Sequence, residues 1–99
     1  MSQPELELAL MKLLSMKHFP LKPPRPKLTV GKLAEALKRL GTTTEIPPLF
    51  ETLCTLKGRG LANTEPKIIM KEEMETAQFE AWLTPLGNTE LTKRLAGAD

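Results

Sequence analysis

Two stretches decide how this chain folds: LFETLCTLKGRGL, from Leu49 to Leu61, and WLTPLG, from Trp82 to Gly87. In the first, Leu49, Leu53 and Leu56 recur at helical spacing with Phe50 beside them. That pattern predicts a helix over about 48–57, stopped at Gly58 or Gly60. The second stretch closes QFEAWLT, where Phe79, Ala81 and Leu83 alternate with Gln78, Glu80 and Trp82 as in a half-buried strand. Thr84-Pro85-Leu86-Gly87 then turns the chain, and Asn88 or Thr89 is the expected cap of a last helix over 88–95. Between the helix stop and the proline turn the reading places a hairpin over 61–84. Its first strand is expected in KIIMKEE, Lys67 to Glu73, and its tip at Met74 to Ala77.

Upstream, TVGKLAEALKRLG runs from Thr29 to Gly41. Thr29 suits an N-cap, Gly41 a C-terminal stop, and Val30, Leu33, Ala34, Leu37 and Leu40 form one apolar face. Lys32, Glu35, Lys38 and Arg39 fall outside it. Further back, Leu6, Leu10, Leu13 and Leu14 with Ala9 and Met16 predict a first helix over 3–17. Ser2 would cap it, and Glu5 and Glu7 would complement its positive end. HFPLKPPRPKL, over 18–28, is a basic, proline-rich linker that must run extended. The fold class is therefore α+β, mostly α, in one domain over 1–99.

The order and spacing of these segments resemble the winged helix-turn-helix family of bacterial and phage regulators. TVGKLAEAL is similar to the first helix of the helix-turn-helix unit. LCTLKGRGL looks like the end of a recognition helix with its Gly-Leu entry into the wing. LTPLG looks like the strand-to-helix exit of MarR-like and PadR-like proteins. The resemblance implies a small DNA-binding regulator of transcription, with its third helix in the major groove and its wing on the backbone or minor groove. Carried over residue by residue, it points to Thr43, Thr44 and Thr52, with Glu45, Pro48, Glu51 and Thr55, as the groove-facing positions. Lys27 and Lys32, near the start of the second helix, would meet phosphates. Arg25, between prolines, would follow a minor groove as extended arms do. Lys71 would be the wing's contribution. A dimer through the first and last helices would match a palindromic site.

Charge supports part of this. Residues 1–60 hold ten Lys/Arg and five Glu, a balance of +5, whereas 61–99 hold four Lys/Arg and seven Asp/Glu, a balance of −3. Seven cations and a single acid, Glu35, lie between Lys17 and Arg39, which is the footprint a polyanion would use. The third helix, in contrast, offers no Arg, Lys, Asn or Gln from Thr42 to Leu56, so the strongest bidentate base contacts are missing. Glu72, Glu73 and Glu75 would repel phosphates at the wing. These features favour an alternative use as a protein-interaction module. Trp82, out of phase with the inward residues of its strand, is then the protein-contact candidate, unless the first or last helix covers it.

The remaining chemistry is sparse. His18 is the single histidine and reads as a surface residue, and the lone Cys54 reads as a semi-buried structural thiol that excludes an internal disulfide and fits a reducing cytoplasm. No catalytic cluster, metal-ligand spacing, cofactor motif or phosphate loop occurs, and no stretch approaches the roughly 18 apolar residues of a membrane span. The expectation is a non-enzymatic, cytoplasmic protein with duplex DNA as its partner.

Overall fold

Helix α1 (Gln3–Leu14) is built on the leucine stripe read from the sequence, and Leu6, Leu10, Met11, Leu13 and Leu14 are all buried. The computed structural model describes residues 3–15 and 27–97. The continuation of α1 to Lys17, the Ser2 cap, and most of the proline-rich linker with His18 and Arg25 lie outside those residues. α1 packs on α2 (Val30–Arg39), α3 (Ile46–Gly58) and α4 (Pro85–Ala96), and on strand β2 (Glu80–Leu83). Its apolar stripe is thus largely consumed inside the chain.

α2 begins where Thr29 Oγ1 accepts the Lys32 N–H at 3.1 Å. Val30, Leu33 and Leu37 form its buried face, while Lys32, Glu35, Lys38 and Arg39 are exposed. It ends at Gly41 (φ +92°), where the Thr42 N–H reaches back to the Leu37 carbonyl at 2.9 Å. Glycine enters that left-handed region without a Cβ penalty. Leu40, read as the last buried position, is instead the C-cap and half exposed, because the chain has left helical geometry there.

α3 starts at Ile46, two residues before the expected Pro48. The residue before a proline resists helical geometry, but the first N–H groups of a helix have no intrahelical acceptor, so Pro47 and Pro48 forfeit no hydrogen bond. Ile46 also gains by packing against the core. Leu49, Phe50, Leu53 and Leu56 are buried as read. The end of α3 repeats that of α2: Arg59 is the C-cap, Gly60 has φ +75°, and the Leu61 N–H donates to the Leu56 carbonyl at 2.9 Å.

The first strand lies elsewhere than predicted. β1 is Ala62–Glu65, directly after the glycine stop, and it pairs antiparallel with β2 in the register Ala62 to Leu83 and Thr64 to Ala81. Within KIIMKEE only Ile69 is buried, and Lys71–Glu73 forms a single 3-10 turn. Lys and Glu are weak strand formers, whereas the residues following Gly60 are already aligned beside β2. The connection between the strands is consequently longer than a hairpin tip at Met74 to Ala77. Leu28 adds a third, one-residue rung by exchanging both backbone hydrogen bonds with Phe79, at 2.6 and 2.8 Å. Among the described residues, four α-helices and this small antiparallel sheet give a mostly helical α+β fold compatible with a winged helix.

α4 starts at Pro85, earlier than the expected Asn88 or Thr89, because Thr84 is its cap. Thr84 Oγ1 accepts the Gly87 N–H at 3.0 Å and donates to the Gly60 carbonyl at 2.6 Å, and the Thr84 N–H donates to the Leu61 carbonyl at 3.1 Å. The two stretches that decided the sequence reading are therefore joined directly. Gly87 fits only as glycine: a Cβ there would lie 1.9 Å from the Leu61 carbonyl oxygen.

Candidate nucleic-acid interface

The two cations that the sequence assigned to phosphates fall together at the start of α2. Lys27 is exposed just ahead of the Leu28 rung, and Lys32 is exposed in the first turn, on the other side of the Thr29 cap. The structure thus brings this pair to one end of the helix. Lys38 and Arg39 are exposed in its last turn, where they also complement the negative end of the helix.

Below this face lies a cleft of about 540 Å³. Among the described residues it is bordered by Leu13 and Leu28, both buried, by the partly buried Ala36 and by the exposed Leu40, while Lys32, Glu35 and Arg39 supply the charges. A second, smaller cleft of about 250 Å³ between α1 and α2 shares Leu40. The sequence reading could not show that these residues surround an opening, because Leu13 and Leu28 come from other elements than α2.

The approach to α3 carries Thr43, exposed, and Thr44, half-buried with its hydroxyl donating to the Glu45 carbonyl at 3.3 Å. Thr52 corrects the sequence reading: it is fully buried, and its hydroxyl donates to the Pro48 carbonyl at 2.8 Å. A side chain without accessible surface cannot touch a base edge. The error came from its polarity, since Thr52 sits on the inner side of α3 beside Leu53 and the hydroxyl is satisfied by the preceding turn. Thr55 spends its hydroxyl likewise, on the Glu51 carbonyl at 2.9 Å. The exposed positions of α3 are Pro47, Pro48, Glu51, Cys54 and Gly58, preceded by the exposed Glu45. That face has two carboxylates and no cation.

Cys54 is exposed, more than the semi-buried reading expected. Partial desolvation of the thiol raises its pKa; Lys57 opposes the shift and Glu51 adds to it. A raised pKa disfavours the thiolate and with it nucleophilic or redox reactivity.

Lys71 is exposed, but it shares its turn with the exposed Glu72 and Glu73. Trp82 faces away from Ala81 and Leu83, opposite Asn63, and is half-buried. Two features escaped the sequence reading. Ile68 and Met70 stand 80% and 56% exposed on the connection between the strands, in an apolar run mistaken for a strand. Glu7, assigned to the helix dipole, is buried and accepts from Arg59 at 3.1 Å and Arg94 at 3.2 Å, joining α1 to the end of α3 and to α4. Nothing in the sequence marks that triad, whose members are spread across nearly the whole chain.

Among the described residues no helix is long and apolar enough to cross a membrane, and no three His, Cys, Asp or Glu side chains gather as metal ligands. No family model and no curated protein matches the chain. Among solved structures it is similar to a protein of Ralstonia eutropha JMP134 named as a "putative DNA-binding protein". The two are 15% identical, and the likeness covers 90% of this chain and 93% of the other with a TM-score of 0.58. At that identity the likeness is one of fold.

Proposed function

We propose that this chain is a small DNA-binding domain of the winged helix-turn-helix type that regulates transcription in the cytoplasm. The observation that carries the reading is the exposed Lys27 and Lys32 pair at the capped start of α2, on a fold shared with a putative DNA-binding protein. Phosphates would meet these two lysines first, and Arg25 just upstream would extend the contact. Thr43 and Thr44 lead into the groove-facing end of α3, where hydroxyls can bond either phosphates or bases. Glu45 and Glu51 can accept from cytosine amino groups but repel the backbone, so affinity would come mainly from the α2 end and sequence preference would be modest. Lys71 contributes little beside its carboxylate neighbours. A dimer would use the exposed Leu86 and Leu95 of α4 in preference to α1, whose stripe is already covered.

The acidic outer side of α3, together with Glu72, Glu73, Glu75 and Trp82 on the hairpin, favours a second reading as a protein-interaction module. Fluorescence anisotropy with mixed genomic duplex fragments at two salt concentrations separates the two. Salt-sensitive binding tighter than about 10⁻⁵ M at low salt supports DNA, since non-specific binding falls in that range. Absence of binding at low salt supports the protein partner.

A further inference from the structure

We propose that Glu80 tunes DNA binding through Lys27, its carboxylate competing with a DNA phosphate for the same ammonium. This rests on the DNA reading and adds a positioning residue to it. The starting point is the Leu28 rung. Leu28 and Phe79 exchange both backbone hydrogen bonds, which sets the two segments antiparallel in one register. The next residues along that register are Lys27 and Glu80. Burial alternates as a sheet requires: Leu28, Phe79 and Ala81 are buried, whereas Lys27 is exposed and Glu80 half-buried. Lys27 and Glu80 therefore share the outer face. Residues opposite each other on one face have Cβ atoms roughly 4.5–5.5 Å apart.

The other neighbour of Glu80 biases its carboxylate. Glu65 is its partner across β1, exposed and of like charge. Like charges directly opposite repel, so the Glu80 carboxylate is favoured on the side away from Glu65, which is the side of Lys27. The outer face thus carries the row Glu65, Glu80, Lys27, with two carboxylates for one ammonium. Lys27 stands in solvent in the structure, and its flexible four-carbon stem lets the ammonium swing to the carboxylate or to an incoming phosphate. An exposed pair of this kind is weak, strong enough to tune a contact and too weak to block it. Lys32, in the first turn of α2, lies outside this register and keeps its full charge for a phosphate.

Fluorescence anisotropy on one duplex at low salt, with wild type, Glu80→Gln, Lys27→Ala and the double variant, tests the competition. Glutamine keeps the shape of Glu80 and removes its charge, and both positions have accessible surface, so all four proteins should melt alike. Glu80→Gln should tighten binding about two- to fivefold, the size of an exposed ion pair. In the Lys27→Ala background that gain should fall by at least half, because the carboxylate acts through the lysine. An equal gain with and without Lys27 would mean that Glu80 repels the duplex directly, and it overturns the proposal. So does a Glu80→Gln variant that binds no tighter than wild type. In both cases the DNA reading stands, whereas a wild-type chain that binds no duplex overturns that reading and the role of Glu80 with it.

Discussion

The junction between Gly60-Leu61 and Thr84-Gly87 and the outer face of α2 are built to opposite specifications. At the junction, the Gly60 and Leu61 carbonyls and the Thr84 hydroxyl and N–H are engaged with one another, and no room remains for a methyl group at Gly87. On α2, Lys32, Lys38 and Arg39 stand in solvent above a half-open cleft. The family resemblance drew two of its three motifs from the junction. Their residues are fixed by backbone geometry, so they specify a fold and are silent about a ligand. Whatever the protein binds must be read from faces on which the fold imposes few demands.

The contrast breaks most violently on the core side. Leu53→Pro puts a proline in the middle of α3, costing about 3 kcal/mol or more in backbone terms, and it also removes a fully buried leucine. Domains of this size hold only about 5–15 kcal/mol in reserve. The variant should lose its cooperative thermal transition by circular dichroism; a melting temperature close to wild type would show that α3 does not organise the core.

Gly87→Ala sharpens the junction itself. Alanine is the better helix former, so propensity alone predicts a gain of about 1 kcal/mol. The approach of its Cβ to the Leu61 carbonyl oxygen predicts the opposite, a loss at or above the upper end of the roughly 1–3 kcal/mol typical of overpacking. The sign of the change in urea midpoint decides between the two, and stabilisation would mean that the α4 backbone lies further from the Leu61 carbonyl.

Glu7→Ala should cost less, about 1 kcal/mol. Charged hydrogen bonds are worth roughly 1.5–3 kcal/mol, but Arg59 and Arg94 remain 54% and 25% exposed and can turn to water once the carboxylate is gone. Arg94 also keeps Glu90, at 3.2 Å, so a loss several-fold larger by urea denaturation would mean that Arg59 stays trapped without a partner.

What the sequence revealed follows the same division. The inward sides of α1, α2 and α3 were legible because a helix repeats its burial every three to four residues, and Gly41 and Gly60 marked their stops because few other residues adopt positive φ. β1 was not legible: Ala62-Asn63-Thr64-Glu65 has little strand character of its own and is a strand because β2 lies beside it. Ile68-Ile69-Met70 looked like the better strand, yet only its middle residue finds the core. The α4 start was missed by a competing cap, since Asn88 and Thr89 look as suitable as Thr84 until the Gly60 carbonyl is seen to need the Thr84 hydroxyl. For the candidate site, the exposure of Lys32 could be read from periodicity, but the burial of Thr52 could not. A threonine with its hydroxyl on its own helix is as acceptable inside as outside.

The smallest expected effect on stability belongs to the α2 face, and it is the most telling for function. Lys27→Ala and Lys32→Ala together remove two exposed ammonium groups, neither of them in a resolved ion pair among the described residues, so the unfolding free energy should change by no more than surface substitutions usually cause, within about 0.5 kcal/mol each. If these lysines neutralise phosphates, the slope of log affinity against log salt should flatten by about 0.9 for each lost contact, equally for every duplex sequence. A Thr43→Ala variant, by comparison, should leave that slope alone and change only the ranking of sequences. Should the lysine pair leave the slope untouched while DNA still binds, the phosphate contacts lie elsewhere on the basic N-terminal part of the chain. The open face of α2 would then be free for protein contacts.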